Sequence, residues 1–489
     1  INKYQQEVAK HNNQAKSLQR VIVKIGNATL MTNLTTASGF ATFILTNSKI
    51  LKEFGVVASI NIVAIFLLSL LIIPIVYSFM KLPNKKHLKH LKNKSIDYFV
   101  KWMENKVREK RINVYIVSLL GLIIGIIGIY QIKISGSIIE DMPKSAPFFE
   151  DIRFFDQSFN GIVPVEIWLD SKRENGIVKP ATLKRMNELQ EVIGEYPELA
   201  QPISVVNAVK FAKQAYYNGN PNYYSLPTTQ ENSFIYPYLS KANGDSQLLS
   251  GYVDSTGQYG RITTFMQDIE TDRMEIIEAE LKKAITKIFP AERYGVNITG
   301  KSLLFLKGTK YLINNLILSL SLAILLIAFF MAYLFRSFKM ILISLIPNLL
   351  PLIITAGVMG FAGIPLKPST ILVFSIAFGI SVDDTIHFLA KYRQELISNN
   401  WRIKQAVFAA LRETGISMFY TSVVLFFGFS VFLSSNFGGT QALGGLVAVT
   451  LLMAMLANLI LLPSLLISLE DTISNDKVLK EPKIEILDQ

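Results

Sequence analysis

Two adjacent carboxylates and a histidine occur within a stretch of sequence that is otherwise apolar. The stretch covers residues 369–390 and contains Asp383, Asp384 and His387. On an α-helix, His387 lies one turn from both carboxylates, at i+4 from Asp383 and i+3 from Asp384. An ionised side chain near the centre of a bilayer costs at least about 2.5–3.5 kcal/mol on insertion scales, so these residue types indicate a function.

Reversible proton binding is the chemistry that fits this group. Removal from water and a like-charged neighbour both favour the protonated form of a carboxyl group. One carboxyl of the pair can then take up a proton on one side of a membrane and release it on the other, and the two titrate as a coupled unit. Three other interpretations stay open: a static buried pair of Asp384 with His387, an interfacial position in contact with water, and a metal site, for which only three candidate ligands are visible.

Other polar residues and two prolines in the apolar stretches belong to the same prediction. Four polar side chains either extend a proton relay or join helices by hydrogen bonds, namely Thr385, Thr421, Ser422 and Asn458. A proline removes a backbone hydrogen bond inside a membrane helix. Pro347 and Pro351, with Asn348 directly after the first of them, therefore predict a hinge. Three glycines are expected to mark close helix packing, namely Gly121, Gly125 and Gly128.

The composition is typical of a multispanning membrane protein. Half of the 489 residues are apolar and 18% are charged, which is rare in soluble domains. The absence of cysteine excludes disulfides, thiolate catalysis and cysteine metal sites. Eight stretches are long enough to cross a bilayer, and the first is the most polar. They are 27–46, 54–79, 112–134, 312–335, 340–362, 369–390, 415–434 and 440–468.

The distribution of lysine and arginine predicts the orientation of these spans. Segment 81–111 is strongly basic, so the positive-inside rule makes it cytoplasmic. Successive connections between spans lie on alternate sides of the membrane. Segment 135–311 is therefore placed outside, and the basic connection 391–414 and both ends of the chain are placed inside. The basic segment is also compatible with a nucleic-acid or anionic-lipid surface, but topology alone explains it. Residues 95–107 are expected to form an amphipathic helix on the membrane surface.

The outside segment is predicted to be a mixed α/β domain. Alternating apolar and polar residues predict strands, and apolar residues that recur with the period of a helix predict helices. The predicted strands are 163–169, 247–253, 259–267 and 296–299, and the predicted helices are 180–196 and 275–289. This order predicts two small split βαβ units, separated by the loop 218–233. Seven aromatic residues could line a cargo cleft, although ordinary core or loop positions are more common, namely Phe154, Phe155, Phe159, Tyr216, Tyr217, Tyr223 and Tyr224.

An internal repeat relates the first 80 residues to the end of the chain. The segment Lys3-Tyr-Gln-Gln-Glu7 matches Lys391-Tyr-Arg-Gln-Glu395 at an offset of 388, and after a one-residue gap the offset is 389. Matching pairs at this offset include Gly26 and Gly415, Thr32 and Thr421, Gly39 and Gly428, Phe40 and Phe429, Phe43 and Phe432, Asn47 and Asn436, Gly55 and Gly444, and Pro74 and Pro463. If the repeat is complete, roughly 280 residues are expected upstream, so the chain is expected to be an N-terminally truncated piece.

The acidic motif and its flanks resemble a known family. The segments Gly379-Ile-Ser-Val-Asp-Asp-Thr-Ile-His387, Lys391-Tyr392 and Pro347-Asn-Leu-Leu-Pro351 resemble the resistance-nodulation-division (RND) superfamily. Within it the resemblance is to the lipid-exporter branch, with mycobacterial-large-type (MMPL) and hopanoid transporters and sterol-sensing-domain proteins. It implies a polytopic α-helical fold of six plus six helices, in which the eight spans are helices 5–12. It also implies that 135–311 is a ferredoxin-like porter domain and that Asp383 and Asp384, with His387, form the proton relay.

The resulting division of the chain has six parts. They are 1–80, the end of the first membrane half; 81–111, a basic cytoplasmic linker; 112–134, one span; 135–311, the porter domain; 312–468, a five-helix bundle with the Asp-Asp motif; and 469–489, a cytoplasmic tail.

The resemblance implies an exporter of a lipid or other hydrophobic molecule, driven by the proton gradient without a cofactor, in a bacterial cytoplasmic membrane. Multidrug pumps of the superfamily usually carry a lysine in the tenth helix, whereas residues 369–390 have none. Two alternatives stay open: a motor that assists protein translocation, and a non-pumping, sterol-sensing-type regulator. An enzyme is not predicted, and neither is a nucleic-acid partner. The expected partners are the cargo and membrane lipids, while the cargo-binding residues, a homo-oligomer and a periplasmic partner are left open.

Overall fold

The fold is taken from a computed structural model of the chain. It describes residues 4–5, 7–8, 13–45, 49–80, 82, 94–135, 139–235, 251–335 and 337–468. The chain divides into two units, which we call the helical unit and the α/β unit. The helical unit comprises residues 1–133, 312–435 and 439–489, and the α/β unit comprises 134–311 with 436–438. The predicted tail 469–489 lies outside the described residues.

The principal elements are as follows, in chain order. They are α1 (Gln14–Ala41), α2 (Lys49–Phe79), α3 (Lys94–Glu109), α4 (Arg111–Ile129), α5 (Pro147–Ser158), β1 (Val163–Asp170), α6 (Pro180–Gly194), α7 (Val205–Tyr216), β2 (Tyr259–Met266), α8 (Thr271–Ile288), β3 (Gly295–Thr299), α9 (Lys301–Phe335), α10 (Phe338–Phe361), α11 (Pro368–Ser398), α12 (Ile403–Ser430), α13 (Gly438–Leu456) and α14 (Leu462–Ser468). Short 3₁₀ turns follow α1 and α12, and a π turn, Ala457–Leu461, joins α13 to α14.

Seven helical segments within the described residues are long and apolar enough to cross a membrane. They correspond to seven of the eight predicted spans. The prediction differs at 27–46, which lies on α1 and the turn after it, where only the shorter segment Thr36–Leu45 is sufficiently apolar. The cause is compositional, because Asn27, Thr32 and Asn33 interrupt the apolar sequence.

The internal repeat is confirmed by the boundaries of the helices. Adding 389 to the residue numbers of α1 gives those of α12, and adding it to the 3₁₀ turn Thr42–Leu45 gives the turn Val431–Ser434. In the same way, the bounds of α2 give the segment from the start of α13 to the end of α14. Equivalent glycines also have equivalent neighbours. A Cβ on Gly55 would meet the carbonyl oxygen of Phe40 at 2.8 Å, and one on Gly444 would meet that of Phe429 at 2.6 Å.

Helices α4 and α10 pack closely because glycines face each other at their contact. A Cβ added to Gly125 would lie 2.9 Å from the carbonyl oxygen of Ile353, and one added to Gly357 would lie 2.5 Å from the Cα of Gly125. Gly128 likewise faces the backbone of Gly357. The predicted role of Gly121, Gly125 and Gly128 in close packing is therefore confirmed.

The amphipathic helix predicted at 95–107 is present as α3, but its apolar stripe is covered by protein. Val100, Met103 and Val107 are at most 5% exposed and belong to the core of the helical unit. Glu104, on the same face, accepts hydrogen bonds of 2.7 and 2.9 Å from the guanidinium of Arg412 on α12. The stripe therefore packs against protein, whereas Tyr98 and Trp102 of the same helix are 73% and 39% exposed. The position of α3 at a membrane surface stays a prediction.

The α/β unit contains one antiparallel sheet with the strand order β2-β1-β3. Alternate residues of β1, such as Val165, Ile167 and Leu169, are buried, and they share a core with apolar residues of α6 and α8. Beyond β2, isolated bridges join Leu199 to Met266 and Ile203 to Thr263. The prediction of two separate split βαβ units is therefore wrong, because the three strands form one sheet, with β1 between β2 and β3, over one core.

Three details of the α/β prediction need correction. The loop 218–233 does not separate two units, since Val209 before it and Ile262 and Ile277 after it belong to one core. Helix α7 itself was not predicted. Of the strand predicted at 247–253, residues 247–250 lie outside the described part of the chain, and the rest is represented by an isolated bridge from Val253 to Gly260.

Candidate functional site

The acidic pair lies near the middle of α11, within the membrane-span candidate Ser369–Ser398. The sequence starts this helix with Pro368, which suits a first helical position. The hydroxyl of Thr370 accepts a hydrogen bond of 2.9 Å from the backbone N–H of Lys367 and caps the helix. Helix α11 packs against both α1 and α12, which the repeat makes equivalent to each other.

The two carboxylates occupy different surroundings. The side chain of Asp383 is 40% exposed, and its Oδ1 lies 3.8 Å from Nε2 of His387. Asp384 is half-buried, and its carboxyl group interacts with the hydroxyl of Ser422 on α12. His387 therefore lies beside Asp383, and the alternative of a static pair between Asp384 and His387 stays a prediction.

A fully buried polar cluster lies next to the acidic pair. Thr385 is at its centre, and its Oγ1 lies 2.9 Å from Oδ1 of Asn348 on α10 and 2.7 Å from Oδ1 of Asn458 on the π turn. The hydroxyl of Ser381 donates to the same Asn348 oxygen at 2.6 Å. The amide of Asn458 donates to the backbone oxygen of Ser381 at 3.1 Å. These four side chains are at most 1% exposed, so the cluster joins three elements inside the helical unit.

The hydroxyl of Thr385 lies close to more hydrogen-bond acceptors than its single proton can serve. Its Oγ1 lies within 3.3 Å of the two asparagine oxygens and of the backbone oxygen of Ser381. A hydroxyl carries one proton and donates it to one acceptor at a time. The cluster can therefore move a hydrogen bond between α10 and the π turn without moving a helix, at the residue that follows Asp384 in the chain.

The π turn that carries Asn458 has no counterpart in the first copy of the repeat. The equivalent of Asn458 is Ser69, which lies within the regular helix α2 and donates to the backbone oxygen of Phe66. Single π turns inside α-helices are often found at functional sites. The second copy therefore differs from the first at the point where its last helix meets α11.

Comparison with known proteins assigns the chain to a family. The family model for the MMPL family matches residues 1–94 and 205–481, which is more than half of the chain. The chain belongs to the MMPL family. Its members are membrane transporters of the RND type, as the resemblance of the acidic motif implied.

A similar protein is membrane protein MJ1562 of Methanocaldococcus jannaschii. It is 29% identical to this MMPL chain over 126 residues, which cover 26% of the chain and 32% of the relative. The chain therefore aligns with about a third of that relative's length.

The structure of this MMPL chain brings together most of the predicted site residues. Asp383, Asp384 and His387 lie at the site, Ser422 reaches Asp384, and Thr385, Asn458 and Asn348 meet in the buried cluster. Thr421 is exposed, and its hydroxyl lies 3.2 and 3.0 Å from the backbone oxygens of Ser417 and Met418 in its own helix. It does not reach the site, because it faces away from α11.

Helix α10 continues through both prolines of the predicted hinge. Asn348 is 1% exposed, and its amide donates to the backbone oxygen of Ser344 at 2.7 Å. The sequence interpretation treated Asn348 as part of a hinge and missed its bonds to α11. It also missed Ser381, although a serine four residues before Thr385 lies on the same face of a helix and could have been found by that spacing.

Proposed function

We propose that this MMPL chain belongs to an exporter that uses inward proton flow to move a lipid or another hydrophobic molecule out of the cytoplasmic membrane. The observation that supports the proton step best is the interaction of the Ser422 hydroxyl of α12 with the carboxyl group of Asp384 on α11. It gives a carboxyl group within a membrane span one partner on a neighbouring helix, so a change in its protonation changes a contact between helices. Such a contact is a physical means of coupling proton binding to helix movement.

The unequal surroundings of the two carboxylates support the same proposal. Asp383 is accessible and has a histidine beside it, whereas Asp384 faces α12 and adjoins the buried cluster. In such a pair, the exposed carboxyl group suits proton uptake. The other group contacts a neighbouring helix, so its protonation can change that contact.

The proposed orientation places the α/β unit outside the membrane and α3 in the cytoplasm. The single antiparallel sheet with helices α6 and α8 supports the interpretation of residues 135–311 as a ferredoxin-like porter domain. Its aromatic candidates fall into two groups that suit contact with hydrophobic cargo. In one, the rings of Phe155 and Phe159 stack with centroids 5.4 Å apart, and in the other those of Tyr217 and Tyr223 stack at 4.1 Å.

The test is transport by the full-length protein in proteoliposomes with an imposed proton gradient. The readouts are an enclosed pH-sensitive dye and a fluorescent phospholipid whose movement to the outer leaflet is followed by chemical quenching. We expect Asp384→Asn, and the double variant with Asp383→Asn, to reduce both signals at least about tenfold, since removal of the protonatable group removes the coupled step.

The matched control is Asp151→Asn, which removes an exposed carboxylate of α5 outside the helical unit. We expect this variant to transport normally. Undiminished proton flux in the Asp383 and Asp384 double variant would contradict the proposed energy source. Normal proton flux without phospholipid movement would leave the proton step intact and contradict the proposed cargo class.

A further inference from the structure

Helix α11 is flanked by two helices that the internal repeat makes equivalent, since it packs against both α1 and α12. Adding 389 to the number of Asn33 on α1 gives Ser422 on α12, whose hydroxyl interacts with the carboxyl group of Asp384. The repeat therefore places a side chain that forms hydrogen bonds at the same position of both flanking helices. The neighbours of α1 on α11 identify what Asn33 faces.

Gly379 marks the face of α11 that meets α1. A Cβ added to Gly379 would lie 3.8 Å from Cε2 of Phe40 and 3.9 Å from Cγ2 of Thr36. Residues four apart lie on the same face of a helix, so Asp383 and His387 continue the face that Gly379 begins. The accessible carboxylate and its histidine are therefore on the side of α11 that faces α1.

Helices α1 and α11 run in opposite directions. Gln14, at the start of α1, donates to the backbone oxygen of Met80, just after α2, at 2.9 Å. Ser59 of α2 donates to the backbone oxygen of Ala37, near the end of α1, at 2.9 Å. Helix α1 is therefore antiparallel to α2. The spans α2, α4, α9, α10 and α11 follow one another in the chain, so α2 and α11 cross the membrane in the same direction.

The opposite directions bring Asn33 to the level of Asp383. On α1, Asn33 lies one turn before Thr36 and on the same face. On α11, Asp383 lies one turn after Gly379. Because Thr36 is adjacent to Gly379 and the helices are antiparallel, one turn along each leads to the same level. The side chain of Asp383 is 40% exposed and Asn33 is half-buried, so both polar groups are accessible.

We propose that Asn33 is a positioning residue for Asp383, and that its side-chain amide holds a water molecule that bridges to the carboxyl group. This inference rests on the proposed proton-driven function. The bridging water gives a proton to the carboxylate of Asp383 and takes one from a neighbouring water, so it stays a water molecule. Each carboxyl group of the pair is then linked to a different one of the two equivalent helices, Asp383 to α1 and Asp384 to α12.

Cadmium binding tests the placement of Asn33 independently of transport. Residues 1–489 contain no cysteine, so Asn33→Cys introduces one thiol, and any cysteine elsewhere in the full-length protein is replaced by serine. Cd²⁺ binds a thiolate together with the imidazole of His387 and the carboxylate of Asp383. In detergent, we expect micromolar Cd²⁺ to slow the reaction of this thiol with N-ethylmaleimide at least about tenfold.

Two controls show whether the protection comes from the proposed site. His387→Ala in the Asn33→Cys chain is expected to abolish the protection. Leu34→Cys is the matched position, because Leu34 is 44% exposed and points about 100° away around the helix. Its thiol is expected to react equally with and without Cd²⁺. No protection at position 33, or protection that survives His387→Ala, would overturn the placement.

Proton flux in proteoliposomes tests the role of the amide. Asn33→Leu keeps the size of the side chain and removes its hydrogen-bonding groups, and we expect it to lower the flux about tenfold. Asn33→Ser introduces the residue that the second copy carries at this position, and it is expected to retain most of the flux, because a hydroxyl also holds a water molecule.

Equal flux in the leucine and serine variants would contradict the role of Asn33. Leu34→Ala is the control for a substitution on the neighbouring face of α1, and it is expected to leave the flux unchanged. An absence of proton flux in the wild type would contradict the proposed function, and the cadmium experiment would then decide the placement of Asn33 by itself.

Discussion

Thr385 is the residue through which the acidic pair and the buried cluster are connected. It follows Asp384 in α11, and its hydroxyl contacts asparagines on two other elements at 2.9 and 2.7 Å. A buried hydroxyl of this kind fixes the rotational position of α11, because a rotation of the helix would leave two amide oxygens without a donor.

Replacement of Thr385 by valine preserves the shape of the side chain and removes its proton. We expect Thr385→Val to destabilise the protein by about 1–3 kcal/mol, the cost of leaving the buried Asn458 oxygen unsatisfied, since Ser381 still donates to Asn348. The measurement is thermal unfolding in detergent, compared with Thr421→Val, whose exposed hydroxyl bonds to its own helix. Equal melting temperatures for the two variants would show that the hydroxyl of Thr385 does not hold the cluster together.

Glu231 provides a pH-dependent contact in the α/β unit. The backbone N–H of Thr228 and the ammonium group of Lys213 lower the pKa of Glu231 from 4.5 to about 2. A carboxyl whose pKa is lower in the folded state stabilises it fully above the unfolded pKa and loses this effect as the pH falls towards the folded pKa. The window of loss therefore runs from about pH 4.5 down to about pH 2.

The corresponding experiment compares the wild type with Glu231→Gln by thermal unfolding of the α/β unit within the full chain. We expect the variant to be less stable at pH 7, and the difference to shrink as the pH falls below 4.5. Glu174→Gln, at an exposed position, is the control for a change of net charge. A difference that stays constant down to pH 3 would show that the pairing of Glu231 with Lys213 does not depend on its ionisation.

At the scale of elements, glycines decide how closely α4 and α10 approach. We expect Gly357→Ala to separate the helices and to cost about 1–3 kcal/mol, because the added methyl group would meet the backbone of Gly125. The control is Gly428→Ala on α12, where an added Cβ meets no described atom within 4 Å. Melting temperatures measure both, and a stable Gly357→Ala variant would mean that the helices can move apart without loss of packing.

The elements that sequence predicted well are those with a strong local signal. Long apolar stretches predicted seven of the spans correctly. Helix α7 was missed although Ser204 and Asn207 form a capping box at its start, a signal that the sequence contains. The π turn at Asn458 was not predicted, because its contacts with α10 and α11 come from distant parts of the chain, and its first-copy counterpart Ser69 has an ordinary helical conformation.

At the scale of the whole molecule, the basic segment 81–111 and the α/β unit are expected on opposite sides of the membrane. An odd number of spans, α4 alone, separates the two in the chain, and the positive-inside rule assigns the basic side to the cytoplasm. Many of the lysines that carry this argument lie at 81 and 83–93, outside the described residues, so the orientation is argued from the sequence of that segment.

Single cysteines can test this orientation, since the natural chain has none. Glu174→Cys places a thiol at an exposed position of the α/β unit, and Lys101→Cys places one at an exposed position of α3. A maleimide that cannot cross membranes should label position 174 in intact spheroplasts and label position 101 only after lysis. Labelling of both positions in intact spheroplasts would contradict the separation of the two segments by a membrane. Labelling of position 101 alone would invert the orientation, and the proposed direction of proton flow would then have to be reversed with it.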